Sequence, residues 1–256
     1  MQQSLTDFER KREILQFLST SQKASVKVIA ERFDVSEITI RRDLQNLENE
    51  GKVTRYHGGA IIKEEQSSYP FKNQKNIAAK RSIGIAASQL IKPGNKIFLD
   101  CGSTISWLCQ AIKDVPDITI ITNSLPNLLA LEESRAKINF VGGEYDKSRR
   151  AAHGHMANNH LKYYAADLAF IGVDGISLEM GCTSHTEVEI DNSKIMASQS
   201  KQSIVLCDAT KFGKDAYIKM MDVSQVHTII TDNKVDKIEL NRFRKAGLKV
   251  LVAPSS

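Results

Sequence analysis

Apolar positions recur with a helical period at the start of the chain. Further on they fall into short apolar runs separated by helical stretches. Phe8, Ile14, Leu15 and Leu18 give one apolar face to a first helix that Thr6 or Asp7 can cap, and Asp7 and Glu9 add favourable negative charge to its first turn. Ser25 caps a second helix whose Val28, Ile29 and Phe33 are expected to face inward. Asp34-Val35-Ser36 breaks that helix, and Ser36 caps a third. There Ile40, Leu44 and Leu47 lie at i, i+4 and i+7 and form the buried stripe. At about 100° per residue, Ile38, Arg42 and Gln45 then point outward, flanked by Thr39 and Arg41.

Gly51 is expected to stop the third helix in the left-handed region. Lys52–Tyr56 and Ala60–Lys63 then alternate as two strands around the turn-forming His57-Gly58-Gly59. Three helices followed by a Gly-tipped hairpin form the order that a winged helix-turn-helix needs to dock on a DNA major groove. An outward Arg42 and Gln45 can hydrogen-bond base edges, and Ile38 can pack on a thymine methyl. Ser36, Thr39 and Arg41 are better placed for phosphates, which set register without reading sequence. Arg55 and His57, near the hairpin tip, suit phosphate or the minor groove. Arg41-Arg42 alone would read equally well as a solvated helix face; the adjoining hairpin favours the DNA reading.

Ile62–Asn76 is polar, contains Pro70 and lacks a period, so it reads as a linker; the domains are taken as 1–63, a linker 64–76, and 77–256. A helix is expected from about Ile77 to Ile91, ending at Lys92-Pro93-Gly94. Beyond it KIFLD, TIIT, INFVGG, DLAFIGVDG, SIVLCD and HTIITD alternate with helical stretches. That alternation implies a mostly parallel sheet covered by helices on both faces.

At 256 residues the chain suits two domains, and 41% hydrophobic content supports a sizeable core. The net charge of +5 permits an anionic partner. Met1–Lys63 holds 11 Lys and Arg against 9 Asp and Glu, so basicity is not concentrated there, and the DNA reading rests on where particular cations sit. Cys101, Cys109, Cys182 and Cys207 form no C-x-x-C pair and suit reduced thiols in a cytosol. The charged MQQSLTDFERKREIL does not suit a signal peptide, and no apolar run approaches a membrane span, so a soluble, cytoplasmic protein is expected.

Small polar residues follow the C-terminal ends of the strands, the edge where open α/β sheets hold ligands. Gly102-Ser103-Thr104 opens a helix with free N–H groups, hydroxyls and the positive end of a helix dipole for an anion, and Thr122-Asn123-Ser124 repeats the arrangement one strand along. Gly142-Gly143 would let a ligand approach the backbone, Lys211 is a candidate cation for phosphate, and Asp100 and Asp174 can accept sugar hydroxyls. Ser, Thr, Asn and Gly at strand ends are also ordinary caps and turns.

The segment VSEITIRRDLQNLENEGKVTRYHGGA resembles the signature of the DeoR family of bacterial repressors, through its Ser-x-x-Thr-Ile-Arg-Arg-Asp-Leu core and His-Gly-Gly wing. DCGST, TNS, VGGEY, GVDGI, the Glu187–Lys194 region and DATKFG match the family's sensor domain in order and spacing, so the resemblance covers essentially the whole chain. That sensor domain is similar to ribose-5-phosphate isomerase, and the family generally senses phosphorylated sugars or related metabolites. The resemblance therefore implies a repressor of a carbohydrate or nucleoside catabolic operon, held on double-stranded operator DNA and induced by a sugar phosphate. It implies that Asp100, Ser103, Thr104, Thr122, Asn123, Gly143 and Lys211 line the effector pocket; Gly102, Ser124, Asp174 and Glu187 are taken with them. A homodimer or homotetramer is expected, because one winged helix makes few contacts for operator-level specificity.

A working isomerase is the alternative. Enediol chemistry needs a general base and an electrophile for the oxyanion. The isomerase family's loop carries two acids close together, followed by a lysine before a glycine run. Here Ile176-Ser177 follows Asp174-Gly175, Met180 precedes a lone Gly181, and Glu187, which also suits a first helical turn, is the remaining acid. No catalytic residue is assigned, and no cofactor or metal is expected. His153-x-His155 would place two imidazoles on one side of a strand, without the further ligands of a tetrahedral site. Cys182 and His185 lack an orienting group for nucleophilic catalysis, and Trp107 suits helix packing. A sensor-like domain that serves only to oligomerise is a third reading.

Overall fold

The computed structural model describes residues 6–21, 23–50, 52–62 and 68–254. The expected stop at Gly51, the 63–67 part of the expected linker and the Phe8 side chain lie outside the described residues. Two compact units divide the chain, residues 1–71 and 72–256.

The first unit contains α1 (Asp7–Ser21), β1 (Lys23–Ser25), α2 (Val26–Phe33), α3 (Glu37–Asn49), β2 (Val53–Tyr56) and β3 (Gly59–Ile62). Thr6 and Glu9 close a reciprocal cap on α1: the Thr6 N–H donates to Glu9 Oε2 at 3.0 Å, and the Glu9 N–H donates to Thr6 Oγ1 at 3.3 Å. Ser25 and Ser36 cap α2 and α3 through the Val28 and Thr39 amides. Asp34 takes a left-handed conformation, φ 51°, which turns the chain between those helices. Ile14, Leu18, Ile29, Ile40, Leu44 and Leu47 fill the core. Val28, expected inside, points to solvent, and Val26 and Ala30 pack with Ile29 instead. The short β1 joins the hairpin in a three-stranded sheet ordered β1-β3-β2. Gly59 permits that pairing, since a Cβ there would collide with the Ala24 carbonyl and the Tyr56 ring.

Residues read as an aperiodic linker include a short helix, α4 (Tyr69–Gln74), so the linker expectation is corrected there. Pro70 near its start is compatible with a helix, because the first-turn amides have no intrahelical acceptor.

The second unit runs α5 (Ile77–Ser88), β4 (Lys96–Leu99), α6 (Ser103–Ala111), β5 (Thr119–Thr122), α7 (Leu125–Leu131), β6 (Lys137–Phe140), β7 (Glu144–Asp146), β8 (Ala151–His153), α8 (Gly154–Leu161) and β9 (Ala166–Gly172). It continues β10 (Gly175–Ser177), β11 (Gly181–Ser184), α9 (Ile190–Ser198), β12 (Ser200–Leu206), β13 (Ile218–Met221), β14 (Thr228–Thr231), α10 (Lys237–Lys245) and β15 (Lys249–Val252). Seven strands form one all-parallel sheet ordered β15-β14-β12-β9-β4-β5-β6.

Both faces of the sheet's centre are buried, so β4, β5, β9 and β14 and the second half of β12 read as near-continuous apolar runs rather than alternating ones. Ile97, Leu99, Leu168, Phe170, Ile204 and Leu206 enter one core with α5 and α6, while Phe98, Ala169, Ile171 and Val205 enter the other with α8 and α9. Burying each such large side chain contributes about 1.5–3 kcal/mol. From β4 the chain winds outward through β5 to β6, then returns to β9 on the other side of β4. The crossovers therefore leave β4 and β9 in opposite directions and open a crevice beyond their C-terminal ends. No helix among the described residues is long and apolar enough to cross a membrane.

Candidate functional site

The first candidate surface is the outward face of α3. Ile40, Leu44 and Leu47 are at most 1% exposed, and the 3.6-residue period then leaves Ile38 79% exposed with Arg42 and Gln45 beside it. Arg42 has no ion pair or side-chain hydrogen bond among the described residues. Arg41 is tied to Glu37 one turn earlier at 3.1 Å, and Ser36 and Thr39 share a hydroxyl hydrogen bond of 2.9 Å at the helix start. His57 is exposed in the turn between β2 and β3.

Arg55 departs from its expected place at the hairpin tip. Its amide donates to Glu48 Oε1 at 2.9 Å, and its guanidinium donates to Gln45 Oε1 and lies 3.8 Å from Glu48 Oε2. β2 runs beside the end of α3, so strand alternation turns Arg55 onto the helix.

Asp43, inside the Arg-Arg-Asp motif, is 1% exposed. It accepts from Arg10 Nε at 2.6 Å and Nη2 at 3.2 Å, joining α3 to α1. Their pairing raises the Arg10 pKa.

The second candidate site is the cleft at the sheet's crossover point, with about 110 Å³ of free space. Gly102, Ser103 and Thr104 at the start of α6 form one wall, with Gly172, Val173 and Asp174 after β9 opposite and Asp208, Thr210 and Lys211 after β12 alongside. Gly102 and Gly172 pack backbone to backbone; a Cβ on Gly102 would stand 3.2 Å from the Gly172 Cα. Asp100 ties these loops together, accepting from the Cys101 amide at 2.7 Å and the Gly172 amide at 3.1 Å.

Lys72, Lys75, Lys80 and Arg149, none picked out from the sequence, bring the cleft to five cations with Lys211. Asp100, Asp174, Glu189 and Asp208 oppose them. Lys72 Nζ lies 2.5 Å from Asp174 Oδ1, Lys211 Nζ lies 3.8 Å from the same oxygen, and Arg149 pairs with Glu189. Burial alone would raise the Asp174 carboxyl; Lys72, by charge and hydrogen bond, together with the charges of Lys211 and Arg149, outweighs it and holds the pKa at about 2. Burial lowers Lys72 to about 8, reinforced by the charge of Arg149.

Lys80 differs from Lys72, Lys211 and Arg149. It is 4% exposed, donates to the Lys72 carbonyl, and has no carboxylate within ion-pair distance among the described residues. Burial lowers its pKa to about 8.

Of the residues expected to line one pocket, Asp100, Gly102, Ser103, Thr104, Asp174 and Lys211 meet in this cleft. Thr122, Asn123 and Ser124 do not. All three are fully buried: Thr122 donates to the Leu99 carbonyl at 2.7 Å, Asn123 to the Ala152 carbonyl at 2.9 Å, and Ser124 caps α7. β8 crosses the end of β5, bridging Ala151 to Ser124, and closes the crevice one strand beyond the crossover. Gly143 packs against His153 and Ala157, where any Cβ would collide. Glu187 lines a separate acidic hollow with Glu144, Asp146 and Asp191.

The lysines escaped sequence reading because Asn76 breaks the helix between Lys72 and Lys80, φ 52°, and no period marks them as one surface. Asp100 and Asp174, expected as free hydroxyl acceptors, are already engaged as loop tie and ion-pair partner.

His153 and His155 do not share a strand. His153 ends β8, buried, with its pKa lowered by that burial, while His155 lies in α8 and bonds Asn159 at 2.8 Å. No group of metal-holding side chains occurs among the described residues. All four cysteines are free and buried, and burial pushes Cys101 and Cys182 up to about 12, away from nucleophilic thiolates.

Residues 10–66 match the family described as the DeoR-like helix-turn-helix domain, and residues 75–233 match the DeoR C terminal sensor domain. The chain is 32% identical over 250 residues to a putative aga operon transcriptional repressor of Escherichia coli O157:H7, covering 95% of this chain and 93% of that one. It is 31% identical over 246 residues to a lactose phosphotransferase system repressor of Staphylococcus epidermidis, covering 92% and 97%. Among solved structures, ribose 5-phosphate isomerase from Plasmodium falciparum matches with 18% identity and a TM-score of 0.39, over 52% of this chain and 51% of that one.

Proposed function

We propose a function from one premise: the chain belongs to the DeoR family of transcriptional regulators. It is a DNA-binding regulator and not an enzyme. Our reading is that it represses a carbohydrate or nucleoside catabolic operon in the cytoplasm and is induced by a phosphorylated sugar, as a homodimer or homotetramer. The names of its relatives, repressors of an aga operon and of a lactose phosphotransferase system, support a carbohydrate operon.

Lys80 is the observation that carries the effector class. A cation this deeply buried is unfavourable without a close counter-charge, and among the described residues no carboxylate lies within ion-pair distance, Asp208 acting on it only from further away. An anion entering the cleft supplies it. Lys80 and Lys211 would give charge-assisted hydrogen bonds, and the start of α6 would give the Ser103 and Thr104 amides and hydroxyls with the helix dipole behind them. The remaining lone pairs of Asp100 and Asp174 accept sugar hydroxyls. Induction follows if the ligand binds the low-affinity state of the protein better than the DNA-bound state.

Thermal unfolding of the full chain with a panel of sugar phosphates and the matching unphosphorylated sugars tests this reading. A cognate ligand at 100 times its Kd should add about 2.7 kcal/mol. The reading is wrong if no phosphorylated sugar shifts the transition, or if the unphosphorylated sugars shift it equally. A responding ligand should then release operator DNA in a gel shift.

A further inference from the structure

We propose that Arg55 sets the base preference of Gln45, by holding the glutamine amide so that it presents donors alone to the major groove. The inference rests on the proposed reading of DNA by the outward face of α3, and goes beyond it in assigning what one position of that face selects.

Four contacts fix the geometry. The Arg55 amide donates to Glu48 Oε1 at 2.9 Å, which anchors β2 against the last turns of α3. The Arg55 guanidinium then lies between Glu48 Oε2, at 3.8 Å, and Gln45 Oε1, to which it donates. Gln45 Nε2 turns along the helix and donates to Asn49 Oδ1 at 3.2 Å. A guanidinium carries five donors and no acceptor, so the glutamine atom facing it must be the oxygen. The contact therefore also decides which way round the amide sits.

That orientation has a consequence for recognition. A free glutamine reads adenine with both ends of its amide, the oxygen accepting from N6 and the nitrogen donating to N7. With its oxygen held by Arg55, Gln45 is left with Nε2, whose second N–H reaches only Glu48 Oε2, at 3.5 Å, and can turn to a base; beside it stand the remaining guanidinium N–H groups. Such a surface matches an edge made of acceptors, and guanine, with O6 and N7, is the base that offers two. The pair of residues thus favours guanine and disfavours the adenine that an unrestrained Gln45 would select. Arg55 in this role is a specificity residue acting with Gln45, and Glu48 positions it.

The experiment is selection of randomised DNA duplexes by the full-length protein, for the wild type and for Arg55→Ala, Gln45→Ala, the double variant and Glu48→Gln. The base pair read by Gln45 is the one whose preference Gln45→Ala abolishes. Guanine is expected there for the wild type, with a shift toward adenine by roughly tenfold in Arg55→Ala, within the discrimination that a bidentate pair supplies. Glu48→Gln, which keeps the acceptor for the Arg55 amide and removes the charge, should shift the preference the same way by less. In the Gln45→Ala background, Arg55→Ala should cause no shift toward adenine at that pair, because the glutamine amide that would read adenine is gone. The proposal is overturned if Arg55→Ala weakens binding to all duplexes alike and lowers the salt dependence by about one phosphate contact, the behaviour of a backbone contact. It is also overturned if the preference at the Gln45 pair stays unchanged. If neither Gln45→Ala nor Arg42→Ala alters any preference, the α3 reading fails and this inference with it.

Discussion

Lys72 Nζ stands 2.5 Å from Asp174 Oδ1, with the carboxylate side chain only 3% exposed and Lys211 the further cation beside it at 3.8 Å. Two cations thus share one buried acid while Lys80, in the same cleft, has no carboxylate within ion-pair distance among the described residues. This asymmetry distinguishes cations that hold the fold from cations available to a ligand, and the variants should respond accordingly.

Lys72→Met removes the nearer partner of a buried carboxylate. Orphaning such a charge typically costs about 3–5 kcal/mol, and Lys211 should keep the loss near the lower end, about 2–3 kcal/mol. Urea unfolding of the variant measures it; a loss below roughly 0.5 kcal/mol would mean the pair is not held in solution.

Lys80→Met should behave in the opposite way. Among the described residues no carboxylate in ion-pair contact loses a partner and a buried charge is removed, so stability should hold or rise, while affinity for a phosphorylated effector falls at least tenfold. Calorimetric titration with the ligand found by thermal screening reads the second effect. Unchanged affinity would remove Lys80 from the site.

The effector should bind more weakly above pH 8. Burial lowers both Lys80 and Lys72 to about 8, so both lose their protons from that pH upward, whereas a phosphate monoester is already a dianion there. The ligand-free protein should show the reverse trend. Between pH 8 and the ordinary lysine value of 10.5 the unfolded chain binds more protons than the folded one, so these two groups make stability rise with pH. Titrations at pH 7, 8 and 9 with parallel unfolding curves check both signs.

Arg42→Ala should weaken specific operator binding by about 1–3 kcal/mol and leave effector binding intact. Lys211→Ala should do the converse and give a repressor that no longer responds to inducer. Normal operator affinity in Arg42→Ala would show that α3 presents a different face to DNA.

Asp43→Ala should destabilise the first unit by about 3 kcal/mol through the loss of its hydrogen-bonded pair with Arg10, and thereby weaken DNA binding without any DNA contact of its own. Arg10→Met in the same background should recover part of the stability, because it removes the cation left behind.

Much of the fold was legible along the chain. Ser25 and Ser36 announce helix starts because a hydroxyl at that place satisfies amides that the helix leaves free. The stripe Ile40, Leu44 and Leu47 sets the rotation of α3 and therefore exposes Ile38, Arg42 and Gln45. Short apolar runs separated by helices imply a parallel sheet, because strands buried on both faces need no polar side. Val28 was misjudged, since α2 meets its neighbours through Val26, Ile29 and Ala30, and an eight-residue helix contains too few apolar positions to fix its phase. Trp-sized or charged residues at loop ends gave no comparable signal for the cleft.

Local sequence thus determined which elements form and which face of α3 turns outward, since caps, periods and turns act between residues a few positions apart. Strand order decided the rest. β9 pairs with β4, which places the crevice at Asp100–Thr104 and Gly172–Asp174, while β8 covers the equally promising Thr122-Asn123-Ser124. The same long-range packing sets Lys72 against Asp174, leaves Lys80 buried with no carboxylate in ion-pair contact among the described residues, and lays Arg55 on Gln45. These relationships depend on distances across the fold, and electrostatic pairing acts through space rather than along the chain.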